Sequence, residues 1–331
     1  MLGRMVACAA GLMLGICAVA TSVVAAEPWP TRPVKIVVPF SASGTADLLA
    51  RTVAEKLNAA LGQRFIIENR PGAGGFIGQD AVTRAAPDGY TFVVSSLGSF
   101  VINPVFTPAP FDPFKDFTHI AYLGGQPVVL IANKDLPYKT LGELVAYGKT
   151  HPGEITYATI SIGSQTQLLS ELFQQRAGIT MTHVPYRGAG QIVTDVLGGH
   201  LATGLVSLTA AAGQIKSGVV RTLAISTEAR LPTYPELPTY KEQGYPDIVA
   251  STWFALSGPA NVPAEIVNRL NAEIVKALRA PDVQARFEHD AIDTKSLDAA
   301  AFTAFFKAEA ARWTPLAEAV AAQVKAGGAP K

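Results

Sequence analysis

Two stretches of this chain place several hydroxyl side chains immediately ahead of a helical pattern. In the first, the β-branched run Val34, Ile36, Val37 and Val38 is stopped by Pro39. Phe40, Ser41, Ala42, Ser43, Gly44 and Thr45 follow, and Asp47 then opens the pattern LLARTVAEKLNAAL. In the second, a strand-like Ile155–Ile160 leads into Ser161–Thr166 (SIGSQT) and then a helical Gln167–Ala177. A helix start presents unpaired N–H groups and a partial positive charge, so each stretch suits an anion. Facing each other, two such starts would clasp a carboxylate, helped by the hydroxyls of Ser41, Ser43, Thr45, Ser164 and Thr166. The plainer alternative is a pair of ordinary capped helices. No nucleophile–base pair accompanies these donors, which points to binding rather than turnover. Asp47 is expected to cap its helix or order the loop, without direct contact to a ligand.

Other chemistry finds little support. His119, His151, His183, His200 and His289 lack metal-ligand spacing, and no HExxH occurs. The stretch from Thr159 to Gly163 lacks the first glycine of a nucleophile elbow, and Ser161 has no evident His and acid partners, so an exported α/β hydrolase is a weak alternative. Gly148-Lys149-Thr150 resembles the end of a phosphate loop, but Gly142 lies one residue too far ahead. Gly72, Gly74 and Gly78 follow a strand and open a helix. Their spacing is GxGxxxG, and the next strand ends at Ser95-Ser96 without an acid to hold a ribose. A tight turn that brings helix and sheet close together is preferred to nucleotide binding. No cofactor and no metal are expected.

The elements that must position the two loops form an α/β protein. Helix-period Leu49, Val53, Leu57 and Leu61 end at Gly62. Strands at Phe65–Glu68 and Tyr90–Ser95 alternate with a helix at Phe76–Ala85, and a small-residue loop, Ser96–Ser99, follows. Such alternation implies a parallel sheet whose loops gather at one edge. His119–Asn133, broken by Gly124-Gly125 and Pro127, is a plausible crossing between two lobes. A second α/β set runs from Glu154 to Ser226, and the C-terminal helices are expected to cover the first lobe. The resulting division is residues 27–130 with 228–331 as one domain and 131–227 as the other.

Residues 5–26 carry no charge, Arg4 precedes them, and Val24-Ala25-Ala26 offers a cleavage site near Ala26. Residues 1–26 therefore read as a signal peptide for export, with an uncleaved anchor as the alternative. Both cysteines, Cys8 and Cys17, lie inside it, so the mature chain has no disulfide or thiol chemistry. Removing it deletes Arg4 alone from 27 basic residues and leaves 26 of each sign, which gives no footing for nucleic acid.

The residues from Trp29 to Asp47 (WPTRPVKIVVPFSASGTAD) resemble the opening of the Bug family, the periplasmic, TctC-like receptors of tripartite tricarboxylate transporters. The likeness continues through ENRPGAGGFIGQDAV (Glu68–Val82), APDGYTF (Ala86–Phe92), HVPYRGAG (His183–Gly190), DVLGGHL (Asp195–Leu201) and WFALSGPANVP (Trp253–Pro263). It implies a two-lobed type II periplasmic-binding-protein fold with a hinge, a small organic carboxylate as ligand, and a membrane permease as partner. A monomer is expected. A receptor that signals to a membrane protein is the alternative role. By position, the resemblance implies a pocket of Phe40–Thr45 and Asp47, of Ser161, Gly163, Ser164, Gln165 and Thr166, of Ser99 and Asn103, and of Val206 and Ser207. Three departures stand out. Ser41-Ala42-Ser43 replaces a more Pro/Gly-rich loop, Gln167 stands where a His is common, and Val206 replaces an Asp that can meet an ammonium group. A buried amine without a partner is costly, so the expected ligand lacks an amino group and has an apolar part near Val206 and Leu208.

Overall fold

The computed structural model describes residues 29–326 other than Ser43, Ser161 and Arg187. The segment expected to be a signal peptide, residues 1–26, and the site residues Ser43 and Ser161 therefore lie outside the described residues. β1 (Val34–Val38) pairs in parallel with both β2 (Phe65–Asn69) and β3 (Thr91–Ser96). Helix α1 (Thr45–Leu61) crosses from β1 to β2, burying Leu49, Val53 and Leu57. Each such side chain contributes roughly 1.5–3 kcal/mol by leaving water. Gly62 ends α1 in the left-handed region at φ 70°, donating its N–H to Asn58 O. That conformation suits a residue with no β-carbon.

Between β2 and β3, Ala73–Gly75 forms a single tight turn ahead of α2 (Phe76–Thr83). A β-carbon on Gly78 would lie 2.9 Å from Pro39 Cβ. The glycines thus let α2 sit close against the end of β1, which is the packing role expected of this loop. The expected loop at Ser96–Ser99 is instead the start of a helical segment. Gly98–Ile102 makes a wide π-type turn that runs into α3 (Asn103–Phe106), and Ser96 Oγ caps it by accepting the Ser99 N–H at 3.2 Å.

β4 (Phe117–Ala132) is one 16-residue strand, not a broken one. Its part up to Pro127 pairs antiparallel with β9 (Ser251–Pro259), and β9 also pairs with β3. Its remainder, Val128–Ala132, pairs with β7 (Thr203–Ser207) on one side and β8 (Arg221–Ile225) on the other. β7 continues in parallel to β5 (Thr156–Thr159), and β5 to β6 (Thr182–Pro185). The chain therefore passes from one sheet to the other inside β4, and it returns just before β9. Gly125 is required there by a close approach. It exchanges backbone hydrogen bonds with Asp293 at 2.9 and 3.0 Å, and a β-carbon would meet Ser251 Oγ at 2.1 Å. Pro127, which has no N–H, falls where pairing to β9 ends.

In the second set, α5 (Gln165–Ala177), α6 (Ala189–Leu197) and α7 (Leu208–Lys216) alternate with the strands, after α4 (Leu141–Thr150). α8 (Ala264–Leu278) and α9 (Pro281–His289) bury Ile266, Leu270, Ile274 and Phe287 against α1 and the first sheet, as expected. The last helix, α10 (Ala299–Ala326), does more than cover the first set. Its Phe302, Phe306, Trp313 and Val320 join one hydrophobic cluster with Phe100 and Trp253 of the first set and Tyr157, Leu168 and Phe173 of the second. Glu309 holds this seam by accepting the indole N–H groups of both Trp253 (3.0 Å) and Trp313 (3.3 Å).

Candidate functional site

The two helix starts meet the same place in the sheet. Thr45, the first residue of α1, donates its hydroxyl to Gln126 Oε1 on β4 at 2.9 Å. Gln165, the first residue of α5, accepts the Thr252 hydroxyl at 2.7 Å and donates Nε2 to Ser251 O at 3.1 Å, both on β9. Gln126 and Thr252 are register partners on adjacent strands. Two helices from opposite halves of the chain are thereby tied to one rung of the sheet, at the point where β4 changes sheets.

α1 begins from Gly44, which has no side chain to cap it, and its Thr45 and Ala46 N–H groups have no hydrogen-bond partner among the described residues. Asp47 is buried and serves the loop. Arg51 Nε donates to one of its oxygens and Asn69 Nδ2 to the other, each at 2.9 Å, while the same Asn69 amide holds Phe40 O. The Phe40 ring packs edge-on against Phe254, with centroids 6.0 Å apart. Phe40 and Asp47 thus fix the ends of the first loop, and Ser41, Ala42 and Gly44 are exposed at its tip.

At the second start Ser164 is the N-cap. Its Oγ accepts the Gln167 N–H at 3.3 Å and lies 3.0 Å from the Thr166 hydroxyl. Gln167 Oε1 accepts the Gly163 N–H at 2.8 Å, which removes that donor from use. The Gln165 and Thr166 N–H groups remain without a partner among the described residues. Gln165 and Thr166 are helical, so α5 starts two residues earlier than the loop reading placed it. Gly163, at φ 74°, lets the loop touch the other half, because a β-carbon there would lie 2.9 Å from the Phe106 ring.

The other expected pocket residues have neighbours of their own. Ser99 is buried on Ser96 and on the Gln79 side-chain amide, and Asn103 Nδ2 donates to Gly74 O at 3.1 Å, so both brace the glycine-rich turn. Val206 is 0% exposed and packs with Val129, Ile131 and Ala211 in the core under α6 and α7. An apolar wall at Val206 and Leu208 facing a ligand is therefore not what this structure presents. Ser207 precedes α7 and lies 3.4 Å from the Thr209 hydroxyl. Gln126 was missed, because a lone Gln inside a strand-like run carries no motif. Two surface cavities, of about 550 and 420 Å³, lie away from this rung on either side of α10. The first is lined chiefly by apolar side chains, and the second by a mixture that includes Arg176, Asp247 and Arg312.

His119 is buried and His183 half-buried, and the loss of water pushes both imidazoles down to about 4. His119 sits between Ser257 Oγ and Pro113 O, and His183 beside the Thr159 hydroxyl. No group of three or more potential metal-ligating side chains occurs among the described residues, and no helix there is long and apolar enough to cross a membrane.

The family profile described as the tripartite tricarboxylate transporter family receptor matches residues 49–321. The chain belongs to that family. Among its relatives, the protein BugT of Bordetella pertussis is 39% identical over 266 residues, spanning 80% of this chain and 82% of BugT. Among solved structures, R. palustris Rpa4515 with adipate superposes with a TM-score of 0.79 at 32% identity, covering 89% of this chain and 98% of that one. MatC from Rhodopseudomonas palustris with bound malate gives 0.76 at 31% identity, covering 88% and 100%. Members of the family are periplasmic binding proteins, and the fold of this receptor is theirs.

Proposed function

We propose that this receptor captures a small organic carboxylate between the two helix starts and delivers it to the membrane subunits of a tripartite tricarboxylate-type transporter. It works in the periplasm as a monomer, after loss of residues 1–26, and catalyses no reaction. The observation that carries this reading is the convergence of α1 and α5 on the Gln126–Thr252 rung. Four backbone N–H groups, of Thr45, Ala46, Gln165 and Thr166, then serve one anion, with the Ser164 and Thr166 hydroxyls beside them. Ser41, Ala42, Ser43 and Gly44 close one side of the ligand, and Ser161 and Gly163 the other. Helix-terminal N–H groups and dipoles favour a carboxylate without a paired cation. The structures of relatives with adipate and malate support the ligand class.

The halves that close on the ligand are residues 27–130 with 228–331, and 131–227, turning about the β4–β9 crossing. The ligand has no amino group, because Asp47, the acidic residue at the first helix start, is already engaged by Arg51 and Asn69. Mass spectrometry of ligand released from the purified protein, with a thermal-shift panel of mono-, di- and tricarboxylates, tests the reading. A carboxylate that raises the melting temperature with concentration is expected. Release of a ligand lacking a carboxylate would sink it, and preference for an amino acid over its deaminated analogue would sink the amine argument.

A further inference from the structure

We infer that Gln126 is itself a ligand-binding residue, whose side-chain Nε2–H donates to the carboxylate held between α1 and α5. This rests on the receptor reading above and adds to it a donor from the floor of the site.

Gln126 is 2% exposed, in the middle of β4. A primary amide brings two N–H donors and an acceptor, and buried ones are almost always paired. The acceptor end is paired with the Thr45 hydroxyl at 2.9 Å. The donor end has no hydrogen-bond partner among the described residues. Gln165 supplies the internal comparison. It is just as buried, at 5%, and is tied to the register partner of Gln126, yet both ends of its amide are bonded to β9. One glutamine of the rung is structurally complete and the other is left open, directly beside the uncapped first turn of α1.

Thr45 also sets the sense of the open end. By holding Oε1, its hydroxyl leaves the Nε2 end of the amide turned to the open side. The floor therefore presents N–H donors, which suit a hydrogen-bond acceptor such as an ionised carboxylate oxygen. Gln126 Nε2 is not among the enclosed unpaired polar atoms of the described residues, so this open end faces space that a ligand can reach.

The test uses calorimetric titration of the mature protein with adipate, malate and citrate, and melting curves without ligand. Gln126→Met removes the amide at similar volume. Gln126→Glu keeps an acceptor for Thr45 but replaces the donor with a charge that repels the ligand. Gln165→Met is the structural control. Gln126→Met is expected to weaken binding about 10- to 100-fold, the worth of one hydrogen bond to a charged acceptor. Gln126→Glu is expected to weaken it further. Ligand-free melting should stay level or rise in Gln126→Met and fall in Gln165→Met. Binding by both Gln126 variants within threefold of wild type overturns the inference while leaving the receptor reading intact. So does a ligand-free destabilisation of Gln126→Met as large as that of Gln165→Met. Wild-type protein that binds none of the three carboxylates, and no other carboxylate of the panel above, overturns both.

Discussion

Ser164 joins stability to binding, and the two can be separated by substitution. Its Oγ caps α5 through the Gln167 N–H at 3.3 Å and sits 3.0 Å from the Thr166 hydroxyl, at 6% exposure. Ser164→Ala removes the cap, which costs about 1 kcal/mol, the bond being a long one. For a protein of this size, that lowers the melting temperature by about 1–2 °C. If the same hydroxyl donates to the ligand, binding loses a further 1.5–3 kcal/mol or so, about 10- to 150-fold in Kd. Ser164→Asp separates the effects, since Asp caps a helix as well as Ser does and its charge suits the dipole. It should melt like wild type. Its carboxylate would nonetheless stand against that of the ligand, a repulsion of about 1–4 kcal/mol at 4 Å between the limits of bulk water and a protein surface. Titration calorimetry and unfolding curves on the two variants decide the matter. Wild-type affinity in Ser164→Asp would refute the placement of the ligand at this helix start.

Gly163→Ala should weaken binding about 5- to 30-fold, because a left-handed alanine costs about 1–2 kcal/mol. Adding Phe106→Ala should recover only the part due to the 2.9 Å contact with the ring. A Gly163→Ala protein with unchanged Kd would remove this loop from the closing surface. Asp293→Ala should lower the unfolding free energy by about 1–3 kcal/mol, read as a lower urea midpoint. It strands the buried Tyr122 hydroxyl, which burial and the neighbouring carboxylate keep protonated and which donates at 3.1 Å, together with that of Ser251 at 3.0 Å. A midpoint unchanged from wild type would contradict this. For His119, burial lowers the folded value to about 4, only partly offset by Pro113 O. The unfolded imidazole titrates near 6.5. The unfolded state therefore takes up a proton that the folded state refuses, and stability falls as pH drops from about 6.5 to about 4. His119→Gln should flatten that slope by up to about 1.4 kcal/mol per pH unit in urea titrations. An unaltered slope would mean that the ring is not held neutral.

The parts of this fold legible in the sequence were those where one local signal was enough. The β-branched run before Pro39, the period-four leucines of α1 with Gly62 behind them, and the long strand at His119–Asn133 all lie where they were expected. The misreadings have physical causes. Gly124 and Gly125 read as an interruption, because a sequence does not show that Asp293, more than 160 residues away, will pair with the backbone there. Ser96–Ser99 read as a loop from its small residues. Ser96 capping Ser99, followed by the apolar Phe100-Val101-Ile102, was the helix signal available. At the site, the two hydroxyl-rich starts were visible as strand–loop–helix joints. What joins them was not, since Gln126 and Thr252 acquire meaning only through antiparallel register between strands far apart in the chain. Val206, a position chosen by likeness, has a side chain that the β7–β4 register turns into the core.

The last helix has a consequence for how this molecule comes apart. Because α10 lies in one hydrophobic cluster with side chains from both sheets, each half loses a shared part of its core if the other melts, and keeps only its separate cluster. Heat or urea should produce a single cooperative transition seen alike by tryptophan fluorescence and by circular dichroism, despite the two sheets. Trp253 and Trp313, sharing Glu309 at the seam, are the natural reporters of that event. Clipping the chain within α10 should then uncouple the halves and split the transition in two.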